Sequence, residues 1–254
     1  MPRILENRFI EEFGNRGIFS REELYDFFKQ FEPDLKEGTL AWRIYDLKNK
    51  NIIRPVRRGY YIVSQKPEYK PEFSSDILKL AKYLSEKFEA VKHCIWETDW
   101  LNEFSQHQAS KKLIIIEIEK DLFETLYYNL KDSFRFDFYC NPGQKAMEYY
   151  VSESTKPVIV KRLITRSPVT RQKVKSVQFF TPGLEKILVD LFADNQLFYF
   201  HQGPELIRIY ENAIKSYSIN YTRLFGYARR RNKEQQIRQF MTNYMEHLVK
   251  NHLP

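Results

Sequence analysis

The chain reads as a mixed α+β / α/β protein: a helical N-terminal unit closed by a short hairpin, a larger mixed α/β domain, and a helical C-terminal tail. Three observations carry this. Apolar residues recur at helical spacing in three successive segments up to Asn49 and then give way to two short β-rich runs. From about residue 90 to 180, β-branched and aromatic runs alternate with helical stretches, the order expected of a covered sheet. Beyond Pro204 the apolar spacing is helical to about Lys250.

Ile4 to Phe13 carries apolar residues at 4, 5, 9, 10 and 13, one amphipathic helix closed by Gly14 and Gly17. Ser20-x-x-Glu23 is a capping box for a second helix, in which hydroxyl and carboxylate each satisfy a backbone N–H of the first turn. Leu24, Phe27, Phe28 and Phe31 form its buried stripe, and Pro33 ends it. A third helix starts at Gly38-Thr39 with Thr39 as cap, burying Leu40, Ile44 and Leu47. Trp42, Tyr45, Asp46 and Asn49 then fall on its opposite side, with Arg43 and Lys50 at the edge.

Asn51 to Val56 is a strand, Arg57-Arg58-Gly59 a tight basic turn, and Tyr60 to Val63 a second strand. Helix, strand, basic turn and strand in this order make a winged helix-turn-helix, spanning residues 1–66. In that motif the third helix enters the major groove of double-stranded DNA while the wing follows the phosphates. Base reading falls to Thr39, Trp42, Arg43, Tyr45 and Asn49, and backbone contact to Lys50, Arg57, Arg58 and Tyr60. Charge agrees: the first thirty-five residues hold five Lys/Arg against eight Asp/Glu, and Lys36 to Lys70 hold nine against three. Winged helices also dock proteins, and exposed aromatics on the helix suit that use as well.

Lys66 to Lys70-Pro71 has the composition of an extended connector between independently packed bodies, so the second domain is placed at 72–254. Ser74 or Ser75 caps a helix burying Ile77, Leu78, Ala81, Leu84 and Phe88. Ala90 to Trp96 reads as a strand, Thr98 to Phe104 as a short helix, and Leu113 to Ile118 as a central strand buried on both faces. Asp121 to Leu130 is helical; Phe134 to Tyr139, Tyr149 to Ser152, Val158 to Ile164 and Val177 to Phe180 read as strands. Pro182-Gly183-Leu184 opens a helix to Ala193 with proline in its first turn.

The whole chain carries a net charge of +8, which favours a polyanionic partner. Its two cysteines, Cys94 and Cys140, make neither a disulfide framework nor a metal-ligand spacing, and a reducing cytoplasm fits. No export signal, membrane-spanning run, GxG or P-loop is present, so neither membrane nor nucleotide cofactor is expected. The histidines at 93, 107, 201, 247 and 252 have no metal-binding spacing.

Glu117 and Glu119 share one face of a strand, a pattern open to a Mg²⁺-dependent nuclease or nucleotidyltransferase. Against it, Lys120 points to the opposite face and no Gly-Ser turn exists to hold a triphosphate, which leaves a solvated strand edge as the plainer reading. No catalytic or metal site is therefore assigned. A second basic patch is drawn from Lys161, Arg162, Arg166, Arg171, Arg229, Arg230 and Arg231, a subset of which would extend the DNA footprint or meet an acidic protein.

Several segments in order resemble a known family: Arg58-Gly59-Tyr60-Tyr61, Ile95 to Phe104, Glu117 to Asp121, Arg162 to Pro168, Leu184 to Phe192, and Tyr227 to Arg231. Together they resemble the AbiEi-like antitoxins of type IV toxin–antitoxin systems, in a branch described as a domain of unknown function. The resemblance implies a phage-defence setting, a winged helix-turn-helix that represses its own operon, and a C-terminal domain countering a nucleotidyltransferase-like toxin without need of a stable complex.

Overall fold

The computed structural model describes residues 3–14, 16–50, 52–64, 66–89, 91–106 and 111–249. Asn51, Ala90, His107, Lys250 and His252 lie outside the described residues. The architecture is α+β, in two parts with separate cores.

The first part holds helices α1 (Arg3–Phe13), α2 (Arg21–Lys29) and α3 (Glu37–Asn49) with strands β1 (Ile18–Ser20), β2 (Ile53–Arg57) and β3 (Tyr60–Val63). The capping box is formed: Glu23 N donates to Ser20 Oγ at 3.1 Å and Ser20 N to Glu23 Oε2 at 2.6 Å. Phe9, Phe13, Phe19, Phe27 and Phe28 build a core of stacked and edge-on rings beneath Leu40, Ile44 and Leu47. Two expectations change here. The hairpin is the larger part of a three-stranded sheet, because Ile18 to Ser20 pairs antiparallel with β3 and buries Phe19. Helix α3 starts earlier than expected, at Glu37, with Lys36 as a cap that makes no side-chain bond, so Thr39 lies inside the helix on its exposed side.

The second part is built on a four-stranded sheet in the order β4-β5-β7-β6, from β4 (His93–Glu97), β5 (Ile114–Ile118), β6 (Asp137–Cys140) and β7 (Pro157–Arg162). Alternation along β5 sends Ile114, Ile116 and Ile118 into one core and Ile115 into the other, so the strand is buried on both faces. Helices α4 (Ser75–Lys87) and α5 (Phe123–Ser133) cover one face, joined by the hairpin of β8 (Val169–Val174) and β9 (Val177–Pro182). The other face is covered by α7 (Leu184–Ala193), α8 (Pro204–Ser216), α9 (Tyr221–Arg230) and α10 (Glu234–Val249).

Tyr149 to Ser152 is not a strand. It belongs to a helical stretch, α6 (Gln144–Ala146) running into a wider turn at Met147–Val151. Met147 and Val151, four apart, are buried while Tyr149 and Tyr150 face out, so the aromatics that suggest a strand are the outer side of a helix. Pro182 closes β9, and Gly183 caps α7 in its place. Thr98–Leu101 is a single 3-10 turn, pinned where Leu113 N donates to Thr98 Oγ1 at 2.9 Å.

The connector is fastened along its length. Ser218 N donates to Pro67 O at 2.9 Å, Lys66 Nζ to Ile214 O at 2.5 Å, and the Tyr69 ring packs on Phe104 and Tyr217. Strand β2 lies against α9, with Arg54 Nη1 donating to Ile219 O at 2.6 Å and Thr222 Oγ1 to Val56 O at 3.3 Å. The expectation of an extended spacer between independent bodies is thereby corrected: an amphipathic tyrosine and buried donors tie it down.

Candidate nucleic-acid interface

Helix α3 presents a narrow outward face because its apolar residues sit at 40, 44 and 47 and turn inward. Trp42 is 58% exposed and Tyr45 61%, and Thr39 and Asn49 are exposed beside them. The tip of the β2–β3 hairpin is also exposed at Arg57, Arg58 and Tyr60, and the Arg57 guanidinium stacks 4.0 Å from the Tyr60 ring. Gly59 turns the chain with φ +77, a conformation that suits glycine. Strand β2 docks on α9 as far as Val56, and beyond it the hairpin tip is exposed, as is the α3 face.

Two of the nine residues that the sequence assigns to DNA are diverted. Arg43 is only 8% exposed: its guanidinium lies 5.1 Å from the Phe28 ring and pairs with Glu32. Position 43 sits one residue before buried Ile44, so its side chain follows the core toward the end of α2 and cannot read a base edge. Lys50 pairs with Glu6 and, at 3.0 Å, with Asp46, which leaves its ammonium partly neutralised. Lys48, which the helical spacing does not assign to DNA, lines a cleft with Tyr45 and Asn49 where α3 meets the second part.

The second basic patch divides into groups with different fates. Lys161 pairs with Asp194, and Arg231 with Asp194 and, at 3.3 Å, Asp190, so both are consumed inside the fold. Arg162 lies on the other face of β7, over Phe123, and Arg171 bonds Gln178 on β8–β9. Arg166, Arg229 and Arg230 come together with Arg223 around one cleft of about 700 Å³. Arg223 was legible in the same run: Thr222, Arg223, Gly226, Arg229 and Arg230 are the exposed face of α9, and the residues between them are buried.

Glu117 and Glu119 do not converge. Glu119 is exposed beyond the end of β5, whereas Glu117 is 2% exposed and points at α7, so the solvated strand edge is corrected as well. Lys186, fully buried, donates to Glu117 Oε1 at 2.8 Å and also pairs with Asp190. Tyr227 Oη donates to Asp190 at 2.8 Å, and Arg231 and Asp194 continue the chain of charge to Lys161. Burial alone would push the Lys186 ammonium pKa down, but Asp190 and Glu117 outweigh it and hold the group well above its ordinary value. Burial likewise pushes Asp194 up, and Lys161 with Arg231 reverses this and holds its carboxyl below the ordinary range.

The signal for this network was present in Lys186-x-x-x-Asp190-x-x-x-Asp194, a polar line at helical spacing that runs along α7 to its C-cap. Four buried isoleucines of β5, each worth roughly 1.5–3 kcal/mol, give the surrounding core the margin to carry such a desolvated cluster. Among the described residues no group of three or more His, Cys, Asp or Glu is placed to hold a metal ion. Nor is any helix among them long and apolar enough to cross a membrane.

A family model matches residues 39–247, from the exposed face of α3 to the last helix, and the chain belongs to that family, DUF6577, described as a family of unknown function. No curated protein matches the chain.

Proposed function

We propose that the chain is a cytoplasmic DNA-binding transcriptional regulator, with α3 in the major groove and the β2–β3 tip along the phosphates. What supports this is the exposure of Thr39, Trp42, Tyr45 and Asn49 on α3 and of Arg57, Arg58 and Tyr60 at the hairpin tip, the two elements that such a fold offers to a duplex. Arg43 is withdrawn from the reading set, and Lys50 contributes little to it because its charge is already met. The resemblance to AbiEi-like antitoxins extends the proposal: the chain represses its own operon and counters a nucleotidyltransferase-like toxin encoded beside it, with no stable complex required.

The test is a binding titration over a range of salt with the operon's upstream duplex and a scrambled one. Arg57→Ala with Arg58→Ala weakens both duplexes alike and lowers the salt slope by about two, one for each phosphate no longer neutralised. An unchanged slope removes the wing from the footprint. Asn49→Ala lowers discrimination between the two duplexes more than affinity for either; equal losses on both would refute a base-reading role. Absence of duplex affinity even at low salt would leave a winged helix that docks protein through Trp42 and Tyr45.

A further inference from the structure

The arginine-lined cleft beside α9 has no part in the surface just assigned to the duplex. Its walls come from the turn after β7, which brings Arg166, and from α9, which brings Arg223, Arg229 and Arg230, with Gly183 and Glu185 of the α7 start between them. These guanidiniums are not equivalent. Arg229 is held by Glu234 through two bonds, Nε to Oε2 at 2.6 Å and Nη2 to Oε1 at 3.0 Å. Arg166, Arg223 and Arg230 make no ion pair within 4 Å among the described residues, and of the three Arg223 alone feels the Glu185 carboxyl of the same lining, so the space is bordered by more positive than negative charge.

Two features give this space the form of a built site. Arg166 is held at φ +59, a left-handed conformation that a side chain rarely adopts, in a turn where Ser167 N and Oγ both donate to Ile164 O, at 3.3 and 2.6 Å. Strain of this sort persists where surrounding contacts over-determine a residue, and here it carries a cation to the rim. Gly226 lies between Arg223 and Arg230 on the exposed face of α9, and a Cβ added there meets nothing within 4 Å, so the floor between the arginines is open. The one carboxyl in the lining, Glu185, is turned to the backbone: Asn220 N donates to its Oε1 at 2.8 Å. Burial pushes its pKa up, against the Asn220 N–H and the Arg223 charge that pull it down.

We propose that this cleft binds the phosphate of a nucleotide-sized phosphate ester. Arg166, Arg223 and Arg230 supply the fork-shaped donors that phosphate accepts in pairs, and about 700 Å³ lies within the range of small-ligand sites. The same phosphate chemistry can come from a free nucleotide or from the backbone of a nucleic acid. The proposal is independent of the major-groove reading of α3.

Calorimetric titration of the full chain decides it, with adenosine monophosphate, inorganic phosphate, adenosine and a short DNA duplex as probes. Adenosine monophosphate and phosphate bind, adenosine does not, and Arg223→Ala with Arg230→Ala weakens the phosphate-bearing probes by roughly tenfold or more. Gly226→Glu, whose Cβ meets nothing within 4 Å, does not lower the melting temperature and abolishes binding, whereas Arg229→Ala changes it by less than about twofold because that charge is already paired. If only the duplex binds and Gly226→Glu weakens it while Asn49→Ala does not, the phosphate is that of a nucleic-acid backbone. The proposal is overturned if no phosphate-bearing probe binds, if adenosine binds as well as its monophosphate, or if Gly226→Glu binds like the wild type.

Discussion

At the scale of single residues, Lys186 decides most. It lies on the buried side of α7 with no exposure to water, and its ammonium is shared by Glu117 and Asp190. Removing it strands the buried Glu117 carboxylate, so Lys186→Met is expected to cost about 3–5 kcal/mol in a denaturant titration. Asp190 keeps Arg231 and Tyr227, while Glu117 loses the cation that balances it. Adding Glu117→Met to Lys186→Met therefore recovers part of the loss, and a double variant no more stable than the single would show that the pair is not what the charge serves. Arg43 teaches the same point at the surface. Its position on a helical wheel suggests an edge facing DNA, but Phe28 and Glu32, outside its own helix, claim the side chain.

At the scale of elements, helix α9 joins the two parts of the molecule. Its first turn touches β2 through Thr222 and Val56, and its later turns line the arginine cleft. Gly226 interrupts that helix on its exposed side with space around it, a residue that local stability does not favour. Gly226→Ala is expected to raise stability by roughly 0.5–1 kcal/mol and the melting temperature by about 1–4 °C. A drop instead would mean that the glycine backbone makes a contact that a methyl group blocks. Elements whose signals are local were legible: the capping box of α2, the buried run of β5 and the helical spans of α8 and α9. Strands β1 and β8 were not, since three residues of β1 and the polar Thr-Arg-Gln-Lys of β8 become strands only through a partner. Pairing energy comes from a neighbour across the sheet, which no window along the chain contains.

At the scale of the whole molecule, two buried histidines set a pH dependence. Burial pushes His93 and His201 below their ordinary value of 6.5, more than offsetting the Val91 carbonyl on His93 and nearby Glu205 on His201. The His93 Nδ1–H donates to Val91 O at 2.9 Å and its Nε2 has no partner, so a second proton would be buried unpaired. The unfolded chain takes up protons first. Stability from these groups is thus complete above about pH 6.5 and is lost as pH falls through that value toward the lower folded pKa. Melting temperature should fall between about pH 7 and pH 5, and His93→Gln with His201→Gln should flatten that fall; an unaltered profile would assign the acid sensitivity elsewhere.

Local periodicity by itself determined the order of most helices and strands, the mixed class of the fold, and the outward face of α3, because amphipathic spacing is written within a few residues of each position. Which charges stay available was decided only by tertiary structure. Lys161, Arg231 and Arg43 lose theirs to carboxylates on other elements, while Arg166, Arg223 and Arg230 are brought to one opening from two separate segments. A charge is neutralised by whatever lies within a few ångströms of it, and that distance is set by how the helices pack over the sheet.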